Sequence, residues 1–301
     1  MYHVNKSYEM RLSDNVGNTP LIPIEFGDGM TVFGKAEFMN PGGSVKDRMA
    51  TYIINDAEAN GKLNPGDTLV EATSGNTGIA FAMIAAERGY TMYIVMPSNM
   101  SEERKKIFNF YGARLIEVDP GDFDGAIALR DQMAETQGFF NCNQFHNPLN
   151  ILAHYNTTGV ELWKQWKKLT PPDVFILGTG TGGTLMGCGR RLKEFWPNIK
   201  IVAVEPKESP VMSGGEPGLH GIQGIGDGSK FLVDLDFVDQ VVTIPTEMAK
   251  QKARMLASDG LFVGISAGAN VLAAQEWLLR NGKDNAITIL CDRGERYFSC
   301  L

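Results

Sequence analysis

The sequence predicts an α/β protein of two lobes, each built on a twisted and mostly parallel β-sheet. Three observations support this prediction. Short apolar runs alternate with amphipathic segments along most of the 301-residue chain. These runs are apolar on both faces, as in parallel strands that helices cover on each side. The alternation is interrupted at "QFHNPLN", residues 144–150, where we place the boundary between the lobes.

Strands and helices are assigned from the period of the apolar residues. The runs that we assign to strands are, in chain order, "DTLVEA", "TMYIVM", "ARLIEV", "VFIL", "IKIVAVE" and "AITILC". The segments with helical spacing are Ser44–Asn60, Thr77–Arg88, Ser101–Tyr111, Asp124–Thr136, Leu149–Leu169 and Ala267–Arg280. In the first of these helices the buried stripe consists of Val45, Met49, Tyr52, Ile53 and Ala57.

The composition excludes several classes of protein. The net charge of about −7 does not indicate a nucleic acid or an acidic membrane as partner. The first ten residues lack the apolar run of a signal peptide, and the most apolar stretch, Ile79–Ala86, is too short to span a bilayer. The four cysteines form no CxxC pair and the four histidines have no metal-ligand spacing. We therefore expect a cytoplasmic protein with free thiols and no metal.

Lys46 stands at an unusual position, in the first turn of a predicted helix and directly after "NPGGSV". A helix N-terminus carries partial positive charge, which disfavours an ammonium group. Burial also favours the neutral amine, and a neutral lysine amine is what condenses with an aldehyde. The alternative is a surface lysine whose stem packs beside the buried stripe.

A second feature is "TSGNTG", residues 73–78, which follows the strand "DTLVEA" and opens an Ala-rich helix. Hydroxyl groups, an amide and backbone N–H groups meet there at a helix N-terminus. Such a place binds anions, and this one suits a substrate carboxylate. An ordinary Ser/Thr helix cap is the alternative.

A third feature is "GTGTGGT", residues 178–184, between the strand "VFIL" and a helix. Its glycines allow several N–H groups to converge on one phosphate. The same residues satisfy GxGxxG, and Glu205 ends the next strand 22 residues after Gly183. A nicotinamide-dependent dehydrogenase is therefore an alternative from a different class.

The stretch "GISAG", residues 264–268, follows a predicted short strand "LFV" and matches the GxSxG of hydrolases. A hydrolase of that type needs a histidine after the serine, and no histidine follows Ser266 in this sequence. Its hydroxyl can instead hydrogen-bond a neutral ring nitrogen.

These motifs, together with "GNTPL", "MPSNMSEERKK", "TTGVELW", "GIG" and "DRGERYFS", resemble the cysteine synthase (O-acetylserine sulfhydrylase) family of fold-type II pyridoxal-phosphate (PLP) enzymes. The C-terminal motif is more similar to the B-type isozymes, and "GGEPGLH…QGIG" is also similar to bacterial cystathionine β-synthases. The implied fold is the two-lobed fold of the tryptophan synthase β-subunit. Residues 35–145 would form the N-terminal lobe, with a movable part at about 91–135. Residues 1–34 and 146–301 would form the C-terminal lobe of a homodimer.

The resemblance implies a role for each matching residue. Lys46 would hold PLP covalently and transfer protons, Asn76 would bond the ring hydroxyl, and Ser266 would face the pyridine nitrogen. The phosphate would lie in a backbone cradle formed by Gly180, Thr181, Gly182, Gly183 and Thr184. The substrate carboxylate would be bound by Thr73, Ser74, Thr77 and Gln144, with Gly224 near the substrate amine.

The implied reaction is β-replacement on a serine- or cysteine-type amino acid through an aminoacrylate, with sulfide or a thiol as second substrate. Formation of L-cysteine from O-acetyl-L-serine and sulfide is the first expectation. Asp227 departs from the pattern, because many cysteine synthases have a small apolar residue there. Its carboxylate either turns outward and caps a turn or acts as a base beside the reacting carbon. The second case favours a cysteine-consuming lyase that releases hydrogen sulfide and forms serine, lanthionine or cystathionine.

Overall fold

The computed structural model describes residues 10–168 and 170–300, and this part of the chain contains ten β-strands and nine α-helices. The strands are β1 (Leu21–Glu25), β2 (Thr31–Ala36), β3 (Thr68–Ala72), β4 (Thr91–Pro97), β5 (Arg114–Val118), β6 (Phe140–Asn141), β7 (Val174–Gly178), β8 (Lys200–Pro206), β9 (Gln240–Ile244) and β10 (Asn285–Leu290). The helices are α1 (Lys46–Ala59), α2 (Asn76–Arg88), α3 (Glu102–Phe110), α4 (Phe123–Gln137), α5 (Leu149–Asn156), α6 (Thr158–Gln165), α7 (Gly183–Phe195), α8 (Thr246–Ser258) and α9 (Ile265–Asn281).

The described chain divides into two compact units. The first contains the described residues up to Asn18, together with Asn40–Gly42 and Lys46–Cys142. The second contains Thr19–Met39, Gly43–Val45 and the described residues from Asn143 onward. These boundaries differ from those of the predicted lobes, so the division into lobes stays a prediction. Residues 1–9 and 301 of the predicted C-terminal lobe lie outside the described residues. Residues 10–18 join the first unit because Ser13 contacts α2: its N–H donates to Glu87 Oε1 at 3.0 Å.

The first unit is built on a parallel four-stranded sheet with the order β5-β4-β3-β6. Val70, Ala72 and Val95 pack on one face against Ala126 and Met133 of α4. Residues at alternate positions of β3 and β4, such as Leu69 and Ile94, are fully buried on the opposite face. Helix α2 packs against both strands.

The second unit is built on a six-stranded sheet with the order β1-β2-β10-β7-β8-β9, in which only the β1–β2 pair is antiparallel. Val174, Ile176, Val202 and Val204 belong to an apolar cluster with α9. Phe175, Leu177, Ile201 and Ala203 belong to a second cluster with α7. Strands β7 and β8 are thus apolar on both faces because each face is covered by a helix. The predicted class of α/β protein with mostly parallel sheets is confirmed.

The six predicted strands are β3, β4, β5, β7, β8 and β10, and five predicted helices match α1, α2, α3, α4 and α9 to within two residues at each end. In the stripe of α1, Val45, Met49, Ile53 and Ala57 are at most 5% exposed, whereas Tyr52 is only half-buried.

Two predicted elements are wrong. The helix expected over Leu149–Leu169, whose last residue is not described, is two helices. The Thr157 hydroxyl donates to the Ala153 carbonyl, and the Thr157 backbone is distorted from ideal helical values, with φ −118° and ψ −76°. The segment "LFV" forms only a single bridge from Val263 to Arg293, since the chain after Arg293 turns at once into the 3₁₀-helix Gly294–Tyr297.

Gly187 lies where α7 packs closely against the backbone of α5, and its replacement tests this packing. A Cβ there would lie 2.3 Å from the Ile151 carbonyl oxygen, which cannot rotate away. We expect Gly187→Ala to lower the free energy of unfolding by about 1–3 kcal/mol. The matched control is Gly189→Ala in the same helix, where the nearest atoms are side-chain carbons at 3.2 Å or more. Equal denaturation midpoints for the two variants would contradict this account of the helix contact.

Candidate active site

Lys46 is the first residue of α1 and is half-buried. The turn before it is closed by its neighbour Asp47, which is fully buried and accepts a hydrogen bond from the Gly42 N–H. A Cβ on Gly42 would lie 2.7 Å from Asp47 Oδ1, so this position requires glycine. The negative side chain that a helix N-terminus favours is therefore Asp47. Lys46 is itself in the first turn of α1, as the sequence predicted.

The "TSGNTG" segment connects β3 to α2. The N-cap residue is Gly75, which has no side chain to cap this helix. The Thr73 hydroxyl instead accepts from the Gly75 N–H at 3.2 Å. The alternative of an ordinary Ser/Thr cap is therefore wrong for this helix, and its positive end remains suited to an anion.

Arg104 of α3 binds the backbone of the "TSGNTG" segment. The sequence reasoning missed this residue. Its side chain is 6% exposed and Nη1 donates to the Ser74 carbonyl at 3.3 Å. Gly78 permits the close approach of α3, because a Cβ there would lie 2.9 Å from Phe108 Cε1. The one sequence signal for Arg104 is its place in the motif "MPSNMSEERKK".

The turn from β7 into α7, residues 178–184, has no room for side chains at its glycines. A Cβ on Gly180 would lie 2.6 Å from the Gly224 carbonyl oxygen. A Cβ on Gly182 would lie 2.6 Å from Val233 Cγ2, and the φ of +87° at Gly182 itself favours glycine. A Cβ on Gly183 would meet the Asn150 amide at 2.0 Å.

The backbone of this turn leaves its donors available. The Thr179 and Thr181 carbonyls accept from the N–H groups of Gly226 and Leu232, at 2.9 and 3.0 Å. Within residues 10–168 and 170–300, the N–H groups from Gly180 to Thr184 donate to no other protein atom. A buried run of unused N–H groups at a helix N-terminus is the arrangement that binds a phosphate, so the residues present fit the phosphate of PLP.

Asn150 brings Gln144 next to this turn. Its Nδ2 group donates to the Gln144 carbonyl and to the Thr181 hydroxyl, both at 3.0 Å. Asn150 and Gln144 are 2% and 4% exposed, so these bonds form away from water. Thr184 is held separately, by His154 Nε2 at 3.1 Å.

Ser266 is the second residue of α9 and is 4% exposed. The residue before the helix, Gly264, requires glycine, because a Cβ would lie 2.1 Å from Asp292 Oδ1. The Tyr297 hydroxyl donates to the other oxygen of Asp292. The start of this helix is therefore positioned by the C-terminal segment of the chain.

Asp227 lies beside the β7–α7 turn. The residue is exposed, yet its Oδ2 atom lies 3.0 Å from the point that a Cβ on Gly180 would occupy. The same Cβ position is next to the carbonyl of Gly224, whose φ is +89°. Gly180, Gly224 and Asp227 are thus brought together, while the role of the exposed Asp227 carboxylate stays a prediction.

Glu205 is engaged within the protein. It is 1% exposed, and its carboxylate accepts from the Met212 N–H at 2.7 Å and from the Ser213 N–H at 3.0 Å. The Ser213 hydroxyl donates to the same carboxylate. Both oxygens are used, so Glu205 does not present a free carboxylate to a ribose, as the dehydrogenase alternative requires.

A reactive cysteine, a metal site and a membrane-spanning helix are three further features that bear on function. Burial raises the pKa of the Cys142 thiol well above its ordinary value, and the charge of Glu71 adds to this effect. Cys142 is therefore not a thiolate nucleophile. The described residues contain no group of three or more metal-ligating side chains and no helix that is long and apolar enough to cross a membrane.

Comparison with known proteins gives a consistent result. The family described as "Pyridoxal-phosphate dependent enzyme" matches residues 12–292. A cysteine synthase from Staphylococcus aureus is 43% identical over 94% of each chain. A solved hydrogen sulfide-producing enzyme from Fusobacterium nucleatum is 39% identical, with a TM-score of 0.92 over 96% of this chain and 90% of that one. A solved cysteine synthase from Entamoeba histolytica is 36% identical, with a TM-score of 0.89 over 100% and 92%.

Replacement of Glu205 tests its structural role. Glu205→Ala leaves the donors of Met212 and Ser213 without an acceptor, so we expect faster hydrogen exchange at these two amides and a stability loss of about 1–3 kcal/mol. Glu205→Gln keeps one acceptor oxygen, so its exchange rates and its stability should lie between those of wild type and those of Glu205→Ala. A wild-type protein that binds NAD, and loses that binding in both variants with unchanged exchange, would contradict this role.

Proposed function

This chain belongs to the pyridoxal-phosphate dependent enzyme family, and on that premise we propose that it catalyses β-replacement on a serine-type amino acid. The proposed reaction is that of a cysteine synthase: O-acetyl-L-serine and hydrogen sulfide give L-cysteine and acetic acid. The observation that carries the proposal is the β7–α7 turn, whose unused N–H groups suit a phosphate. The 43% identity to a cysteine synthase over 94% of the chain supports the choice of reaction.

PLP, when bound, accepts the electron pair that the substrate α-carbon releases. We propose that Lys46 attaches the cofactor aldehyde, and that its freed amine then removes the α-proton of the substrate. Its place at a positive helix end supports this role, because the neutral amine is the form that acts as base and nucleophile.

The other roles follow the chemistry of the side chains. Thr73, Ser74 and Thr77, at the N-terminus of α2, would bind the substrate carboxylate together with Gln144. Asn76 would bond the ring hydroxyl of PLP, and Gly224 would lie near the substrate amine. Gly180, Thr181, Gly182, Gly183 and Thr184 would hold the phosphate.

Ser266 would face the pyridine nitrogen. A hydroxyl group hydrogen-bonds a neutral nitrogen but does not balance a full positive charge there, as a carboxylate does. The electron sink is therefore weaker, which favours prompt loss of the β-substituent over a long-lived carbanion that racemises.

Asp227 favours a second candidate reaction at the same site. Its carboxylate lies beside Gly180 and Gly224, where it would repel the hydrosulfide anion and accept a proton from a neutral nucleophile. L-Cysteine and water would then give L-serine and hydrogen sulfide. The sequence identity of 39% to a hydrogen sulfide-producing enzyme, over 96% of this chain, supports this candidate.

The assembly and the cellular location are also proposals. We expect a homodimer in the cytoplasm, as the family resemblance implies. The four free cysteines, two of them buried, support a reducing compartment.

Replacement of Lys46 tests the first proposal. We expect Lys46→Ala to lose the visible absorbance of the attached cofactor, and to reduce the formation of cysteine from O-acetylserine and sulfide by about 1,000-fold or more. The matched control is Lys62→Ala, an exposed lysine just beyond the end of α1, which should retain both properties. A Lys46→Ala protein with normal absorbance and activity would refute this role of the lysine.

Replacement of Asp227 separates the two candidate reactions. If it is the base, Asp227→Asn should reduce the formation of serine and sulfide from cysteine by about 100-fold, while cysteine synthesis is kept or increased. Asp236→Asn, at an exposed aspartate of the same unit, is the control. Serine formation that persists unchanged in Asp227→Asn would exclude the carboxylate as base.

A further inference from the structure

We propose that His220 is a positioning residue that holds Asp227 beside the β7–α7 turn and thereby influences which nucleophile the enzyme accepts. The inference rests on the proposed function and concerns a residue to which that function assigns no role.

The backbone of Gly226, directly before Asp227, is hydrogen-bonded at both its N–H and its carbonyl. Its N–H donates to the Thr179 carbonyl at 2.9 Å, and its carbonyl contacts His220 Nε2 at 3.0 Å. A carbonyl oxygen only accepts, so Nε2 carries the proton and donates it. His220 thus supplies one of the two backbone hydrogen bonds that locate Gly226.

The segment around Asp227 needs such restraints. Gly224, Gly226 and Gly228 all have positive φ, at +89°, +70° and +75°. Glycines lose more conformational freedom on folding than other residues, so the segment has little preference of its own for this shape. A Cβ on Gly226 would lie 2.6 Å from Pro206 and 3.0 Å from His220 Nε2, which shows how closely the ring lies against the segment.

His220 is itself anchored, and one of its two nitrogens makes no bond. The N–H of its neighbour Gly221 donates to the Thr246 hydroxyl at 3.0 Å, and the Thr246 N–H donates to Glu208 at 2.8 Å. Among the described residues, the buried Nδ1 atom of His220 has no hydrogen-bond partner. The polar interaction of this ring is therefore the bond to the Gly226 carbonyl.

The consequence concerns the second half of the reaction. When cysteine reacts with water, the β-carbon–sulfur bond breaks, a β-carbon–oxygen bond forms, and Asp227 takes the proton that the attacking water loses. A carboxylate displaced from the reacting carbon takes this proton less efficiently and repels hydrosulfide less. Loss of the His220 bond should therefore shift the enzyme from serine formation toward cysteine synthesis.

The test compares two substitutions of the same ring. Gln places an amide nitrogen near the position of Nε2, whereas Asn is too short to reach the Gly226 carbonyl. We expect His220→Asn to lower the ratio of serine formation to cysteine synthesis by roughly 10-fold, and His220→Gln to restore most of it. Thr246→Val, which releases the anchor without changing the ring, should give a smaller shift in the same direction.

A double-mutant cycle shows whether His220 acts through Asp227. In the Asp227→Asn background we expect His220→Asn to have no further effect on the ratio, because the group that it positions is gone. Equal effects of His220→Asn in both backgrounds would overturn the proposal, as would an unchanged ratio in the His220→Asn single variant.

Hydrogen exchange provides a measurement that does not depend on turnover. The Gly226 amide should exchange faster in His220→Asn than in wild type or in His220→Gln, with or without cofactor. Wild-type protein that turns over neither substrate would refute the proposed function alone, and unchanged exchange at Gly226 would overturn the role of His220.

Discussion

The absence of space for side chains at the turn from β7 into α7 is the constraint on which the candidate site depends. Gly180, Gly182 and Gly183 are each enclosed by atoms of another segment. Because the backbone is bare there, its N–H groups can approach a bound anion directly. The parallel sheet places this turn at the carboxyl end of β7, where ligands bind in open α/β sheets. The fold and the phosphate site therefore have a common origin.

Buried polar side chains hold the site loops in place. Asn150 joins Gln144 to the β7–α7 turn, Arg104 holds the carbonyl of Ser74, and Glu205 organises the segment after β8. Such groups are costly to bury without partners, so each bond specifies one arrangement of the loop that it contacts. The loops of the candidate site are therefore ordered before any ligand binds, which lowers the entropy lost on binding.

The sequence predicts the interior of each sheet well and its margins poorly. Five of the six strands predicted from apolar runs lie inside a sheet, and the sixth, β5, is an edge strand. The antiparallel strand β1 also lies at an edge and contains Pro23, which weakens its signal. Strand β6 has only two residues, too few to show a strand pattern. Helix α8 exposes Met248 and Met255, so its apolar residues do not form one clear stripe. The motif residues of the site were predicted because glycine and hydroxyl side chains cluster in short segments. Arg104 was missed because its partner Ser74 lies 30 residues away in the chain. Asn150 and His220 were missed because each bonds a backbone carbonyl six residues away, and a pattern of side chains does not reveal such a bond.

The central claim is that Lys46, at the positive end of α1, attaches PLP. Reduction of the purified holoenzyme with borohydride, followed by mapping of the peptides, tests it most directly because reduction makes the linkage permanent. The account predicts that the pyridoxyl group is recovered on the peptide that contains Lys46. Recovery of the label on a different lysine, or of an unlabelled Lys46 peptide from protein that contained cofactor, would contradict it.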